Sequence, residues 1–374
     1  MFSESARISK STGCSIMANK IPFELSDYVL KKYFLETGKR QGWLDLNKIS
    51  LAVSGGGDSI AMLWLFRNFF DGEITAIHVN HGIRGSESDD DERFTAEFAE
   101  NLGVKFRAVR VSVPEARAKG ESLETSARRL RLSSLIETSK ELAVNSIMLG
   151  HNRDDLAETV LFNILRGTGI RGSVGMTEST ETEGVKFFRP LLGLRREFLR
   201  DVLRARGLVW REDSSNDDDS YTRNFIRLRL LPLIASNVNA SAVEHLAQFG
   251  EEMRSVRENE DARSEALVSE CECDDGILDR KKLRALGESD IMLVIREIGR
   301  RLGLRTLSRR RCAELSGLIL ADKNFTFQWC ADMTVSARNG RIFLREAGNN
   351  GIKADTRTQS RRITSAGTAE GHRR

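Results

Sequence analysis

Ile49-Ser-Leu-Ala-Val53, followed at once by Ser54-Gly55-Gly56-Gly57-Asp58-Ser59, is the stretch on which the fold of this chain turns. The first five residues form an apolar run of strand length, and Ile60 to Phe70 beyond the glycines carries apolar residues at helical spacing. The stretch therefore reads as strand, glycine turn, helix. Three successive glycines let backbone N–H groups turn inward against an anion where a Cβ would obstruct it, and the helix N-terminus behind them adds its positive end. Ser54, Gly55, Gly56, Gly57, Asp58 and Ser59 are thus a candidate phosphate cradle. It has no lysine of the GxxxxGK[ST] kind, so it is poorly equipped for γ-phosphoryl transfer. Asp58 offers a carboxylate that could hold Mg²⁺ against phosphate oxygens. The plainer alternative is a glycine-rich turn in which Asp and Ser merely cap a helix.

Working outward, Ile74 to Val79, Val104 to Val111 and Ser146 to Gly150 read as further strands, each followed by a stretch of helical period. Such βαβα alternation predicts an α/β fold, a doubly wound parallel sheet covered by helices on both faces. Ligands of such sheets bind outside the carboxyl ends of the strands. The chemistry-bearing residues fall at those ends. The second strand runs into His78-Val-Asn-His81-Gly-Ile-Arg84. On a predicted helix, Glu124, Arg128 and Arg131 are spaced i, i+4 and i+7 and share a face, which is either a solvated ion-pair stripe or, beside a nucleotide, a grip on anionic oxygens. After the fourth strand comes Gly150-His-Asn-Arg-Asp154-Asp155-Leu-Ala-Glu158. There the carboxylates of Asp154, Asp155 and Glu158 converge at a helix N-terminus. Clustered acids repel unless a cation sits among them, and Mg²⁺ or an incoming ammonium would meet that need; the plainer alternative is that they cap the helix N-terminus.

Residues 189–211 hold seven arginines, Arg195 and Arg196 among them, and Thr222-Arg223-Asn-Phe-Ile-Arg227 follows. An arginine-studded helix is either a solvated face or a surface that tracks RNA phosphates. A helix is expected to end near Leu231-Pro232. Beyond residue 234 the pattern becomes amphipathic helices, a basic cluster from Arg300 to Arg311, and short strands at Phe325–Trp329 and Arg341–Arg345.

The SGGGDS turn resembles the signature of the PP-loop ATP pyrophosphatases, which split ATP between the α- and β-phosphates. HVNHGIR, E-x-x-A-R-x-x-R, GHxxDDxxET, RPLL, W-x-E-D-x-S-N and T-R-N-x-I-R are similar, in order and spacing, to the lysidine synthetases of that superfamily. The likeness runs from about residue 48 to 234. Leu132, Asn152 and Leu156 depart from the family pattern. The resemblance implies ATP and Mg²⁺ as cofactors, and free L-lysine and a tRNA(Ile) with a CAU anticodon as substrates. The implied product is lysine joined to C2 of the wobble cytidine through an adenylylated cytidine, which changes codon reading from AUG to AUA. It also implies Asp58, Arg128, Asp154, Asp155 and Glu158 as catalytic residues, with Asp58 holding the metal. Arg195, Arg196, Arg223 and Arg227 would face the tRNA. A lysine ε-amine with pKa near 10.4 costs roughly 4.6 kcal/mol to deprotonate at pH 7, so the three clustered carboxylates are candidates to hold the ammonium and take its proton. A homodimer is compatible with the resemblance. The alternatives are a thiolase-like PP-loop enzyme acting on tRNA and a nucleotide-binding regulator without catalysis. A sulfur relay would need cysteine or an iron–sulfur cluster, and the chain has no cysteine between Cys14 and Cys271.

Composition sets the outer bounds. The 374 residues are 40% hydrophobic and 30% charged, with a net charge of +4. They suggest two folded units and a soluble, cytoplasmic protein without membrane association. Six of the Lys and Arg residues lie in 350–374 against Asp355 and Glu370, so nucleic acid would be met by local patches and not by a global field. Five cysteines without CxxC spacing support neither a disulfide framework nor a zinc knuckle. The organisation expected is an N-terminal extension (1–28), a PP-loop ATP-binding catalytic domain (29–192), a mostly helical tRNA-recognition appendage (193–347) and a disordered basic tail (348–374).

Overall fold

The computed structural model describes residues 22–82, 85–112, 122–212, 222–274, 276–321 and 323–346. The expected tail, and the expected extension up to residue 21, lie outside the described residues, as does most of the W-x-E-D-x-S-N string. Residues 22–28 already belong to the fold, because Ser26 caps the helix α1 (Asp27–Gln41). The chain divides into two compact units at Glu252/Met253.

The first unit is built on a sheet whose strands are β1 (Lys48–Ala52), β2 (Glu73–Asn80), β3 (Lys105–Arg110), β4 (Ser146–Leu149), β5 (Ser179–Thr182) and β6 (Val185–Phe188), in the order β3-β2-β1-β4-β6-β5. All neighbours run parallel except β5, which closes one edge antiparallel to β6. The expected doubly wound parallel sheet is what forms. Its strand order reverses between β1 and β4, where Ser50 pairs with Ile147 and Ala52 with Leu149. At such a reversal the connections leave to opposite sides and open a crevice above the strand ends.

Helix α2 (Gly57–Phe69) is buried at every position from Ser59 to Phe66, so it lacks a polar face and must be covered on all sides. The covering comes from α1 and from α6 (Arg196–Arg204), with α3 (Ser86–Asn101), α4 (Leu123–Glu141) and α5 (Arg153–Leu165) as the other helices around the sheet. Phe34, Trp43 and Phe66 meet with ring centroids 4.8–4.9 Å apart, and Leu199, Val202 and Leu203 of α6 join the same core. That packing fixes the end of α2 carrying the glycines.

The helix expected to stop near Leu231-Pro232 does not. Residues 222–225 are α-helical, Ile226–Leu230 widen into a π-turn, and an α-segment resumes from Leu231 to Asn237. Pro232 falls in the first turn of that segment.

The expected boundary at residue 192/193 falls inside the first unit. Leu192, Ile226, Leu231, Val243 and Ala247 share one core cluster with Leu156 and Val160 of α5, so the chain through the start of α7 (Ala242–Cys271) is part of the sheet domain's packing. The second unit carries α8 (Arg280–Arg284), α9 (Glu288–Arg301) and α10 (Arg309–Leu320) together with an antiparallel sheet, in the order β7 (Glu272–Asp274), β8 (Ile277–Asp279), β11 (Arg341–Glu346), β10 (Met333–Arg338), β9 (Phe325–Cys330). Trp329, Phe327, Val335 and Ile342 fill its own core. No helix among the described residues is long and apolar enough to cross a membrane.

Candidate functional site

The glycine turn sits at the strand-order reversal. Gly55 has φ +92°, and a Cβ there would lie 3.0 Å from Thr95 Oγ1, so glycine is required on both counts. Ser59 locks the turn from inside. Its Oγ accepts from the Ser54 N–H at 3.2 Å and donates to the Gly56 carbonyl at 2.9 Å. Gly56 precedes α2 with no side-chain cap, which leaves the helix's first amides for another acceptor. Beyond the turn opens a cavity of about 950 Å³ lined by Ser54, Gly56, Gly57, Asp58 and Ser59, by His78, Asn80 and His81 from the end of β2, and by Gly150 and His151 from the end of β4. Arg131, Arg196, Arg200, Arg211, Arg223 and Arg227 also reach it.

Burial pushes the Asp58 carboxyl up to about 6, and Arg196 only partly offsets this from 3.7 Å. Asp58 Oδ1 is buried with no hydrogen-bond partner. An orphaned carboxylate oxygen beside an anion cradle fits a hard cation. Among the described residues no three His, Cys, Asp or Glu side chains group as a metal site. Mg²⁺ at Asp58 would therefore draw its other oxygen ligands from phosphate and water, as is usual for that ion.

The acid cluster is arranged differently from its sequence reading. Asn152 and Asp155 form a reciprocal capping box at the start of α5: Asn152 Oδ1 accepts from the Asp155 N–H, and Asp155 Oδ2 from the Asn152 N–H, both at 3.0 Å. Asp154 is gripped by Arg195 through two bonds of 3.0 Å and by the Arg196 N–H at 2.8 Å. Glu158, almost fully buried, takes both Arg196 and Arg227, and Asp155 receives a guanidinium N–H from each. The cation among these acids is arginine. Burial opposes charge on Arg196, but Asp155, Glu158 and Asp58 outweigh it and raise its pKa. For Asp154 burial alone would raise the pKa; the Arg195 fork and the Arg196 N–H bring it below the ordinary value.

Asp155 and Glu158 thus stand behind the cavity wall and aim Arg196 and Arg227 into it. Gly55, Arg128, Asp154 and Arg195 do not line the cavity. Arg128 is exposed on α4, one residue from Ala127, which does. Glu124 lies on α4 as well, with a side chain outside the described residues. Arg131, on the same helix, opens onto the cavity yet is ringed by protein, and burial together with Arg128 and Arg223 lowers its pKa. Burial, then Arg131, Arg189, Arg223 and Arg128, hold His151 well below its ordinary pKa, and its Nδ1 is buried without a partner. His78 is likewise held neutral by burial, its Nδ1 2.9 Å from the Val53 carbonyl. Sequence reasoning missed Arg200 and Arg211 as cavity residues, since nothing in an arginine's spacing says which face of the fold it will meet.

A nucleotide cradle at the switch point of a doubly wound sheet, facing an arginine-lined cavity, defines an ATP-handling α/β domain. The family model of the PP-loop domain matches residues 28–234, more than half of the 374, and the chain belongs to the PP-loop family. Curated relatives of the chain are tRNA(Ile)-lysidine synthases. That of Clostridioides difficile (strain 630) is 34% identical over 228 residues, covering 60% of this chain and 49% of the relative. That of Thermus thermophilus is 43% identical over 202 residues, covering 54% and 38%. That of Parabacteroides distasonis is 38% identical over 228 residues, covering 59% and 51%. The chain thus spans about half or less of the length of these relatives. A solved structure, the U34-tRNA thiolase NcsA of Methanococcus maripaludis with its [4Fe-4S] cluster, superposes with a TM-score of 0.50 at 21% identity, covering 60% of this chain and 78% of that one, a likeness of fold alone.

Proposed function

We propose that this chain is an ATP-dependent tRNA-modifying ligase that joins free L-lysine, through its ε-nitrogen, to C2 of the wobble cytidine in a tRNA(Ile) with a CAU anticodon. The observation that carries the reading is the glycine cradle with the buried Asp58 beside it and, among the described residues, no lysine lining the cavity, whose walls carry arginines. The names of the relatives support the choice of lysine and of tRNA.

A ring carbonyl oxygen is a poor leaving group; transfer of AMP to it, with release of pyrophosphate, lets it depart as AMP when the ε-nitrogen bonds to C2. In this reading the backbone of Ser54–Ser59 and the start of α2 hold the triphosphate; Asp58 would hold Mg²⁺, which would supply screening of the phosphate charge. Arg196 and Arg227, held in place by Asp155 and Glu158, sit where negative charge accumulates. Arg128, with Arg131 and Arg223 near it, forms a second cationic corner suited to RNA phosphate or to the carboxylate of lysine. An entering ε-ammonium would have to displace a guanidinium to reach Asp154, Asp155 or Glu158. Holding the ammonium and taking its proton through that exchange is the role proposed for the three acids.

Incubating the protein with ATP, labelled lysine and total tRNA tests the reading. Label should enter RNA only with ATP present, with AMP and pyrophosphate formed in step. Release of ADP and orthophosphate, or no label on RNA, would overturn it.

A further inference from the structure

Residues 210–212 pass directly beneath the glycine turn. The Arg211 N–H donates to the Gly55 carbonyl at 3.0 Å, and Gly56 and Arg211 pair as an isolated parallel bridge. The Trp210 ring lies 3.4–3.5 Å from where a Gly57 Cβ would stand. The Arg211 Nε donates to Asp91 Oδ1 on α3 at 2.9 Å, and the Trp210 indole N–H donates to Glu212 at 2.8 Å. Trp210 also packs on the main core, so the strap is anchored at both of its first two residues.

Peptide geometry gives these contacts a consequence. Across a trans peptide, the carbonyl of one residue and the N–H of the next point in opposite directions. With the Gly55 carbonyl turned to Arg211, the Gly56 N–H turns away from the strap. The Gly56 carbonyl is taken by Ser59 Oγ at 2.9 Å and the Ile60 N–H at 3.0 Å, so the next peptide is held by α2 itself, with the Gly57 N–H directed at the strap as the parallel bridge requires. A run of three glycines has no side chains to hold such an arrangement and loses much entropy in adopting it.

We propose that Trp210 and Arg211 are positioning residues for the phosphate cradle: the strap sets the Gly55–Gly56 peptide plane so that the Gly56 N–H faces the triphosphate before it arrives. The proposal rests on the nucleotide reading above. A cradle ordered in advance binds its anion without the cost of ordering it.

Amide hydrogen exchange over residues 50–60 without nucleotide, ATP titration calorimetry without RNA, and steady-state AMP release together test this. Arg211→Pro, which removes the N–H, and Trp210→Ala should speed exchange in the glycine turn. Each should weaken ATP binding about tenfold, in KM more than in kcat, as the loss of one fixed hydrogen bond implies. Arg211→Ala keeps the N–H but loses the Asp91 pair, so it should fall between the unaltered protein and Arg211→Pro, and Trp210→Phe, which keeps a flat ring, should recover most of the loss. Arg211→Pro removes no core side chain, so it carries the test should Trp210→Ala not fold. Exchange and ATP affinity unchanged in Arg211→Pro would overturn the proposal. If the unaltered protein bound no ATP, the nucleotide reading would fall, while faster exchange in the variants would still establish the strap.

Discussion

Glu158 shows what a buried carboxylate does when arginines surround it. Both oxygens are occupied, by Arg196 and Arg227, in almost complete burial. Glu158→Gln leaves those guanidiniums short of charge, and unfolding by urea should show a loss of about 3 kcal/mol, the usual cost of breaking a buried pair. Asp154 supplies the pH dependence. Its folded pKa is lowered, so its stabilising contribution is fully present above the ordinary value of 3.8 and is lost as pH falls through the folded value. Urea midpoints of the unaltered protein and Asp154→Asn should therefore differ at pH 6 and converge as the pH drops below about 4; a constant gap would rule out the Arg195 pair as its source. Gly55→Ala must place a Cβ at φ +92° and 3.0 Å from Thr95 Oγ1. It should cost about 1–2 kcal/mol of stability and weaken ATP binding, measured by thermal unfolding with and without nucleotide.

Among the elements, α5 does most to shape the site. Its first residue, Arg153, is nearly buried and reaches across to Glu244 through two bonds of 2.6 and 2.7 Å and to Glu251 at 2.9 Å, tying the helix that carries the acids to the start of α7. Arg153→Ala should destabilise the first unit by about 2 kcal/mol and raise the KM for ATP less than the stability loss suggests, since Arg153 does not line the cavity. The π-turn at Ile226–Leu230 is the other shaping element. Arg223, Asn224, Arg227 and Leu228 all line the cavity across it, and a widened turn of this kind recurs at functional sites because it re-aims side chains that a regular helix would spread around its axis.

For the molecule as a whole, two compact units predict two cooperative events on heating. Trp329 is buried in the second unit, with its indole N–H on the Arg305 carbonyl at 2.9 Å. Trp329→Ala removes a large buried ring at a cost of about 3–5 kcal/mol, and scanning calorimetry should show one transition lowered and the other unmoved. Within this unit, Arg300 and Arg301 both pair with the buried Glu297, and Arg311 lies over Phe327 while bonding the Trp329 carbonyl. Half of the basic cluster from Arg300 to Arg311 therefore holds the unit together.

Hydrophobic period and turn chemistry are local properties, and they determined the strands β1 to β4, the glycine turn, the helix behind it and the place of the chemistry at the strand ends. Asp58 was legible for the same reason, because its position follows from the turn that contains it. The identity of the cation among Asp154, Asp155 and Glu158 was not legible: Arg195, Arg196 and Arg227 lie some 40 to 70 residues away in the chain, and only packing of α6 and the π-turn against α5 brings their charges together. The same holds for the Trp210–Arg211 strap and for the boundary after residue 252. Each is decided by which surfaces a folded chain brings into contact, a quantity that no spacing within one segment encodes.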